Sequence, residues 1–567
     1  MNECIFLDEV TMKKTVLVSM LSLSAAFLFA DVPAVNQLGF APESPKLLVF
    51  RGSDTASVEI RNLESNATVL TVPAPRPVFD EASGDTVQAF DFSSVKKEGS
   101  YLVVRGGKIS GVPVSVQKNP YLELTKAALK WFYFQRAGFA LDTRFAGPWA
   151  RAAGHLDTAV QVYGETRQIR SPKGWYDAGD FGKYIVNSNI TVTTLLRLYE
   201  DYPRYAKKLE WEIPRENKKL PALLEEVKWN LDWMLSMQDF DGGVFHKLTS
   251  LNFCGNVMPS DDTLSRFAIG KGIVATLGFA GVAAQASRIY QKFDRAYAKR
   301  LLDAAVRAYD FAKKNPNLFY EQPADVFTGS YLPKGEDGKD EARFAAAELF
   351  ASTKDKRFLE DLESLSLLAS GIWWGDLNMF AVFRVAETKA FGDSLVRDAQ
   401  KKLRDLAEGI FADSKSSPYR IPMGSHWTWG SNSQVANNGM VLMEASRILK
   451  DKKYREAAED ALSYLLGKNP LHMSYVTGFG ARSPMHPHHR ASEADSVTLP
   501  VPGMLVGGPH LGKQDVGKEH WQCPDYGVKN RPAVAYLDSA CSYATNEVAI
   551  NWNAPLAYLA GALDAER

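Results

Sequence analysis

Near residue 118 the spacing of apolar residues changes from the period of a strand to that of a helix, and this change divides the chain into two units of different class. Over 31–117 apolar and polar residues alternate in short runs, 46–50, 57–61, 87–92 and 101–104, parted by turn residues such as Gly52-Ser53-Asp54 and Glu98-Gly99-Ser100. That pattern predicts an antiparallel β-sandwich. It holds no cluster of catalytic residue types, so a buttress for the larger unit is favoured over an independent sugar-binding role. Over 118–567 the spacing predicts about twelve helices: 121–137, 184–200, 220–237, 267–290, 296–314, 340–352, 356–369, 376–390, 394–411, 434–449, 452–466 and 546–563. An even number of similar helices implies six hairpins closing into an (α/α)6 barrel, with the Gly- and Pro-rich loops, above all 469–544, gathered at one mouth. An open solenoid is the alternative, but no fixed sequence repeat supports it.

The segment Gly174-Trp175-Tyr176-Asp177-Ala178-Gly179-Asp180-Phe181-Gly182-Lys183-Tyr184 carries the most chemistry. Two carboxylates three residues apart on a glycine-hinged loop can hold and deprotonate a water, and Trp175 and Tyr176 offer flat faces to a pyranose ring. Asp177 or Asp180 could instead cap the helix that begins near Tyr184. Capping needs one Asp and explains neither the second nor the aromatics.

A third carboxylate, Glu547, stands in the block that runs from Tyr536-Leu537-Asp538 through Tyr543 to Pro555, at the predicted start of the last helix. In a first helical turn its pKa would fall. A general acid needs the reverse, so a catalytic Glu547 must be desolvated or lie near other carboxylates, and Asp177, Asp180 and Asp538 are the candidates for that repulsion. The run Met485-His486-Pro487-His488-His489-Arg490 lacks a nearby Cys or carboxylate partner for a metal, and suits donors to sugar hydroxyls better. On an extended loop His488 and Arg490 face one way and His489 the other. Trp373, Trp374, Trp427, Trp429 and His246 fall on predicted loops or helix starts and, with Tyr543, are candidate sugar contacts, although each alone also suits core packing.

The 66 basic and 66 acidic side chains cancel, which removes the field that nucleic acid or an anionic membrane would need and favours a neutral partner. Met12-Lys13-Lys14, the apolar run 15–29 and Ala30-Asp31 read as a signal peptide, with Met12 as the true start. A secreted, periplasmic or cell-surface protein of a bacterium is expected, with no membrane attachment after signal removal. Cys254, Cys523 and Cys541 then remain, without metal-type spacing. One bridge between Cys523 and Cys541 suits an oxidising compartment, but nothing in the sequence brings the two together.

Taken together these segments resemble glycoside hydrolase family 9, the inverting endoglucanases, in the architecture with an N-terminal immunoglobulin-like domain. The resemblance runs in order from Val35-Asn36-Gln37-Leu38-Gly39-Phe40 through Trp175 to Asp180 and His488-His489-Arg490 to the 536–554 block. It implies Asp180 as the general base on water, Asp177 as its partner in holding that water, Glu547 as the general acid, and His488, Arg490 and Asp538 as active-site residues. It implies a secreted endo-β-1,4-glucanase acting on cellulose or related β-glucans with inversion, its two carboxyls roughly 6.5 to 9.5 Å apart. An exo-acting or processive glucan or cello-oligosaccharide hydrolase is the nearest alternative. A polysaccharide lyase using the His486 to Arg490 cluster, or a non-catalytic glucan-binding protein, are alternatives of another class. A monomer is expected, its partner a β-1,4-linked glucan polymer or oligosaccharide, and no cofactor is required. No binding or docking module is recognised after the last helix, so soluble chains are expected over crystalline cellulose. Related enzymes often hold a structural zinc; the matching cysteine positions here are Ala137 and Gly154, which leaves His155 without thiolates and predicts no zinc. The resemblance allows a structural calcium, but no loop dense in oxygen ligands stands out to place it.

Overall fold

A computed structural model describes residues 32–111, 113–332, 337–518 and 522–567. The signal-peptide reading of residues 1–30 lies outside them. The N-terminal unit is a two-sheet sandwich. One sheet orders β1 (Leu47–Arg51), β5 (Asp85–Asp91) and β4 (Val78–Asp80); the other orders β3 (Thr68–Val72), β2 (Val58–Asn62), β6 (Gly99–Arg105) and β7 (Lys108–Ile109), with β8 (Val114–Val116) also paired to β6. Alternate residues meet between the sheets, where Leu48, Phe50, Ile60, Phe90, Phe92 and Val103 form the core. Strands β3 and β4 carry no period-two signal because both are edges with exposed apolar residues: Val69 is 50% exposed, Val78 49% and Phe79 61%.

The C-terminal unit has twelve helices of ten or more described residues: α1 (Leu122–Phe134), α2 (Ile185–Asp201), α3 (Ala222–Ser236), α4 (Ile273–Tyr290), α5 (Arg295–Lys314), α6 (Lys339–Thr353), α7 (Lys356–Leu365), α8 (Asn378–Glu387), α9 (Asp393–Ser416), α10 (Ser431–Leu449), α11 (Lys452–Leu465) and α12 (Ile550–Ala565). The even-numbered helices touch in a closed ring, α2 to α4 to α6 to α8 to α10 to α12 and back to α2, and the odd-numbered ones pack outside it. The two rings differ as their positions require. Helix α9 buries only a stripe, Ala399, Leu403, Ala407, Ile410 and Ser414, whereas α12 is buried from Ile550 to Asp564 on every face. The barrel is therefore (α/α)6.

Two helix starts depart most from the periodicity. The segment 267–290 is not one helix: Arg266–Lys271 is strand β13, paired with β12 (Phe245–Ser250), and α4 starts only at Ile273. Gly270 has φ +56°, and a Cβ there would lie 2.4 Å from the Tyr320 ring. Strands β12 and β13 belong to a five-stranded sheet with β9 (Val160–Val162), β10 (Gln168–Ile169) and β11 (Lys183–Tyr184), which leads directly into α2. The last helix is also broken. A four-residue turn, Tyr543–Asn546, precedes α12, and Glu547 lies between the two with extended backbone (φ −67°, ψ 160°).

The sandwich touches the barrel at several points. Asn36 donates to Tyr121 Oη and Ser463 Oγ, and Ser44 donates to Glu459. Farther along, the β4–β5 turn meets the long loop before α12: Ala533 N donates to Ala82 O at 3.0 Å, and the Arg531 guanidinium donates to Ser83 O and pairs with Asp85 at 3.0 Å. A disulfide joins Cys523 to Cys541 in that same loop. Beneath the barrel, at the C-terminal end of α2, Arg197 is buried among Asp201, Glu387 and Glu444.

Candidate active site

Three segments far apart in sequence are tied together by main-chain hydrogen bonds at the barrel mouth. Arg490 N donates to Gly179 O at 3.0 Å, His488 N to Asn546 O at 2.8 Å, and Ile550 N to Asp177 O at 2.8 Å. His488 and Glu547 form a parallel β-bridge, and Val548 pairs with Val506. Glu547 is thus fixed by short β-pairing within the helix break. The packing leaves no room at Gly179, where a Cβ would fall 2.3 Å from the His488 carbonyl oxygen.

The cleft above these segments has a volume of about 660 Å³ and is lined by Asp180, Glu547, His488, Arg490, Tyr184, Tyr331, Trp374, Trp429 and Tyr543, among others. A second cavity of about 400 Å³ shares Trp374, Trp429, Asn551 and Trp552 with it and extends the groove past Trp373 and His426. Glu547 is held well above the usual carboxylate range, first by burial and then by Asp180 and Asp177; Arg490 and the Gly179 N–H oppose the shift. Asp177 is pushed up to about 8 by burial and by Asp180, against hydrogen bonds from Tyr331 and Asn187. The Tyr331 hydroxyl donates to Asp177 Oδ2, and Asn187 Nδ2 donates to Oδ1 at 2.8 Å. Asp180 Oδ2 accepts from Gly182 N at 3.0 Å and from Tyr184 Oη at 3.4 Å. The His488 imidazole is pulled down to about 4 by burial, and its Nδ1 donates to Ala540 O at 2.6 Å, so a neutral ring presents Nε2.

Of the residues named from sequence, Asp180, Glu547, His488, Arg490, Trp374, Trp429 and Tyr543 all line this cleft. Asp177 lies behind Asp180, fully buried. His489 faces away, towards Gln135 and Ser492. Asp538 does not line the cleft or raise the Glu547 pKa; its carboxylate accepts from Met485 N, His486 N and Asn546 Nδ2 and so ties the histidine loop to the turn before Glu547. Neither aspartate caps α2, whose N-cap is Tyr184 with no side-chain cap bond, and Glu547 is not in the first turn of α12.

Four expected sugar contacts are corrected. Trp175 is fully buried with Nε1 donating to Glu226, and Tyr176 is buried with its hydroxyl at His155. His246 is fully buried, stacked on Tyr320 at 3.8 Å. Trp427 packs against the main core and lines neither cavity. Aromatic character places a ring near the loop without saying which way it turns. Tyr331 was not anticipated, since a lone tyrosine in a loop carries no pattern; its one signal is the turn-rich Thr328-Gly329-Ser330 before it.

Among the described residues no group of three or more His, Cys, Asp or Glu side chains is arranged to hold a metal ion. Both nitrogens of His155 are engaged, by Tyr176 Oη at 2.8 Å and Asp262 at 3.2 Å, and Ala137 packs with Tyr176 and Phe181 in a small apolar cluster. At the starts of α6 and α8, Asp340, Glu341 and Asp376 come together; Glu341 is buried, raised well above its usual range by burial and then Asp340, and its Oε2 has no hydrogen-bond partner.

Comparison with known proteins agrees with this architecture. Residues 121–560 match the model of glycosyl hydrolase family 9, and residues 33–110 match the cellulase N-terminal ig-like domain. A xyloglucan-specific endo-beta-1,4-glucanase of Bacteroides ovatus is 35% identical over 94% of this chain and 94% of its own. A cellodextrinase of Butyrivibrio fibrisolvens is 32% identical over 94% of this chain and 99% of its own. The solved structure of a Bacteroides ovatus family 9 protein superposes with a TM-score of 0.87 at 33% identity, covering 95% of this chain and 99% of that one. The chain therefore belongs to glycosyl hydrolase family 9 and is a glycoside hydrolase with an N-terminal immunoglobulin-like domain.

Proposed function

We propose that the enzyme hydrolyses β-1,4-linked glucan by a single displacement that inverts the anomeric carbon. Glu547 gives its proton to the departing glycosidic oxygen as the C1–O bond breaks. Asp180, with Asp177 as its partner, takes a proton from the water whose oxygen bonds to C1 on the opposite face. The supporting observation is a carboxyl whose pKa burial raises, Glu547, lining the same cleft as a second carboxyl, Asp180. The lyase alternative gains nothing from His489, which is turned into the core, or from His486, which is exposed.

The groove formed by the two adjoining cavities, with Trp373, Trp374 and Trp429 along it, supports endo action on a chain spanning several sugar units. Product chromatography on carboxymethylcellulose, lichenan, xyloglucan, xylan and cello-oligosaccharides tests this; release of a single short product from every polymer would favour exo action. A proton NMR time course should show the α-anomer first, and early β-anomer would overturn inversion. Asp180→Ala and Glu547→Gln should each lower turnover by at least about 100-fold while the fold persists.

Export is supported by the Cys523–Cys541 disulfide, which suits an oxidising compartment. The working form is a monomer, checked by light scattering. Zinc has no place at His155, and stoichiometric zinc in chelator-washed protein would overturn that. A structural calcium, which the resemblance allows, is tested by whether calcium raises the Tm of chelator-treated protein.

A further inference from the structure

His246 and Lys247 are adjacent on β12 and both are fully buried. Neither reaches the cleft lining. Both instead grip the loop that precedes Tyr331. His246 Nε2 donates to Ser330 O at 2.8 Å, and Lys247 Nζ donates to Gly329 O at 2.9 Å, to Thr328 Oγ1 at 3.1 Å and to Gln322 Oε1 at 3.0 Å. The next residue is Tyr331, which has φ +46°, in the left-handed region that a side chain disfavours, and its hydroxyl donates to Asp177. A backbone in that region persists only where its surroundings hold it.

Among the described residues Lys247 makes no ion pair, although a buried ammonium is costly without one. The titratable groups that face it are Asp180 from the catalytic loop, Tyr184 from β11, whose ring lies 5.8 Å from Nζ, and His246 from its own strand; Gln322 and Thr328 are neutral. Tyr184 is its register partner and donates to Asp180. Burial pulls the ammonium down to about 7 and Asp180 opposes that shift.

We propose that His246 and Lys247 are positioning residues for hydrolysis: by holding the turn at Thr328 to Ser330 together they set Tyr331 against Asp177. The inference rests on Asp180 and Asp177 being the water-activating pair. It accounts for a buried cation that a methionine could replace with better packing.

The test is the split between kcat and KM for Lys247→Met and Lys247→Gln beside Asp180→Ala. Lys247→Met should lower kcat about tenfold or more, with KM within about twofold. Lys247→Gln keeps donors for the loop carbonyls, so it should recover part of kcat. Tyr331→Phe combined with Lys247→Met should cost less than the two changes added, because the lysine acts partly through the tyrosine. Folded Lys247→Met with the wild-type kcat would overturn the inference, provided Asp180→Ala is inactive. An active Asp180→Ala would overturn the base assignment instead. If Lys247→Met does not fold, Lys247→Gln decides through its coupling to Tyr331→Phe, strict additivity overturning the inference.

Discussion

Gly179 rests against the carbonyl of His488 with no space for a Cβ, and its own carbonyl accepts from Arg490 N. This contact holds the loop of Asp180 to the strand-like segment paired with Glu547. Gly179→Ala should force the two apart and lower kcat by about 100-fold, since small displacements of positioned groups carry that cost. Steady-state kinetics with a circular dichroism melt separates this from unfolding.

Asp177 is a carboxyl whose native pKa is raised, from its ordinary value to about 8. The proton-bound form therefore contributes stability that is fully present below about pH 4 and is lost as pH rises through about 8. Asp177→Asn should be nearly inactive yet melt a few degrees above wild type at pH 8, with the gap closing towards pH 4. Calorimetry across pH checks the sign.

Arg197 is the hub of a buried ionic group with Asp201, Glu387 and Glu444. Arg197→Met removes one cation from this group while Arg447 still pairs with all three carboxylates, and should cost up to about 3 kcal/mol of stability. Denaturant unfolding measures it, and kcat of the folded fraction should be unchanged because the network lies at the opposite end of α2 from Tyr184.

Cys523→Ser with Cys541→Ser opens a loop closed over 18 residues, for a loss of about 3 kcal/mol. Tyr543, two residues beyond Cys541, lines the cleft and donates to Gln514 O on the other side of the bridge. KM should therefore rise more than kcat falls, and dithiothreitol should reproduce the effect in the wild type.

The sequence made the barrel readable because each helix needs a stripe or a whole face of apolar residues, and all twelve helical runs recur as helices. The order of Asp177, Asp180, His488, Arg490 and Glu547 was readable for the same reason that they meet: short polar loops at one mouth. What was not readable depends on contacts between distant segments. Trp175 turns inward because Glu226 on α3 accepts its indole N–H, and His246 turns inward because Ser330 lies 84 residues ahead. Apolar spacing carries the last helical run back to 546 and so places Glu547 in a helix, whereas pairing with His488 pulls that stretch straight.

The Arg531 contact with Ser83 and Asp85 bears on how such enzymes can be engineered. A domain graft that preserved only the Asn36 to Tyr121 linkage would give a folded hybrid whose cleft wall had lost its outside support. The β4–β5 turn and the loop before α12 would therefore have to be replaced as a matched pair in such a graft.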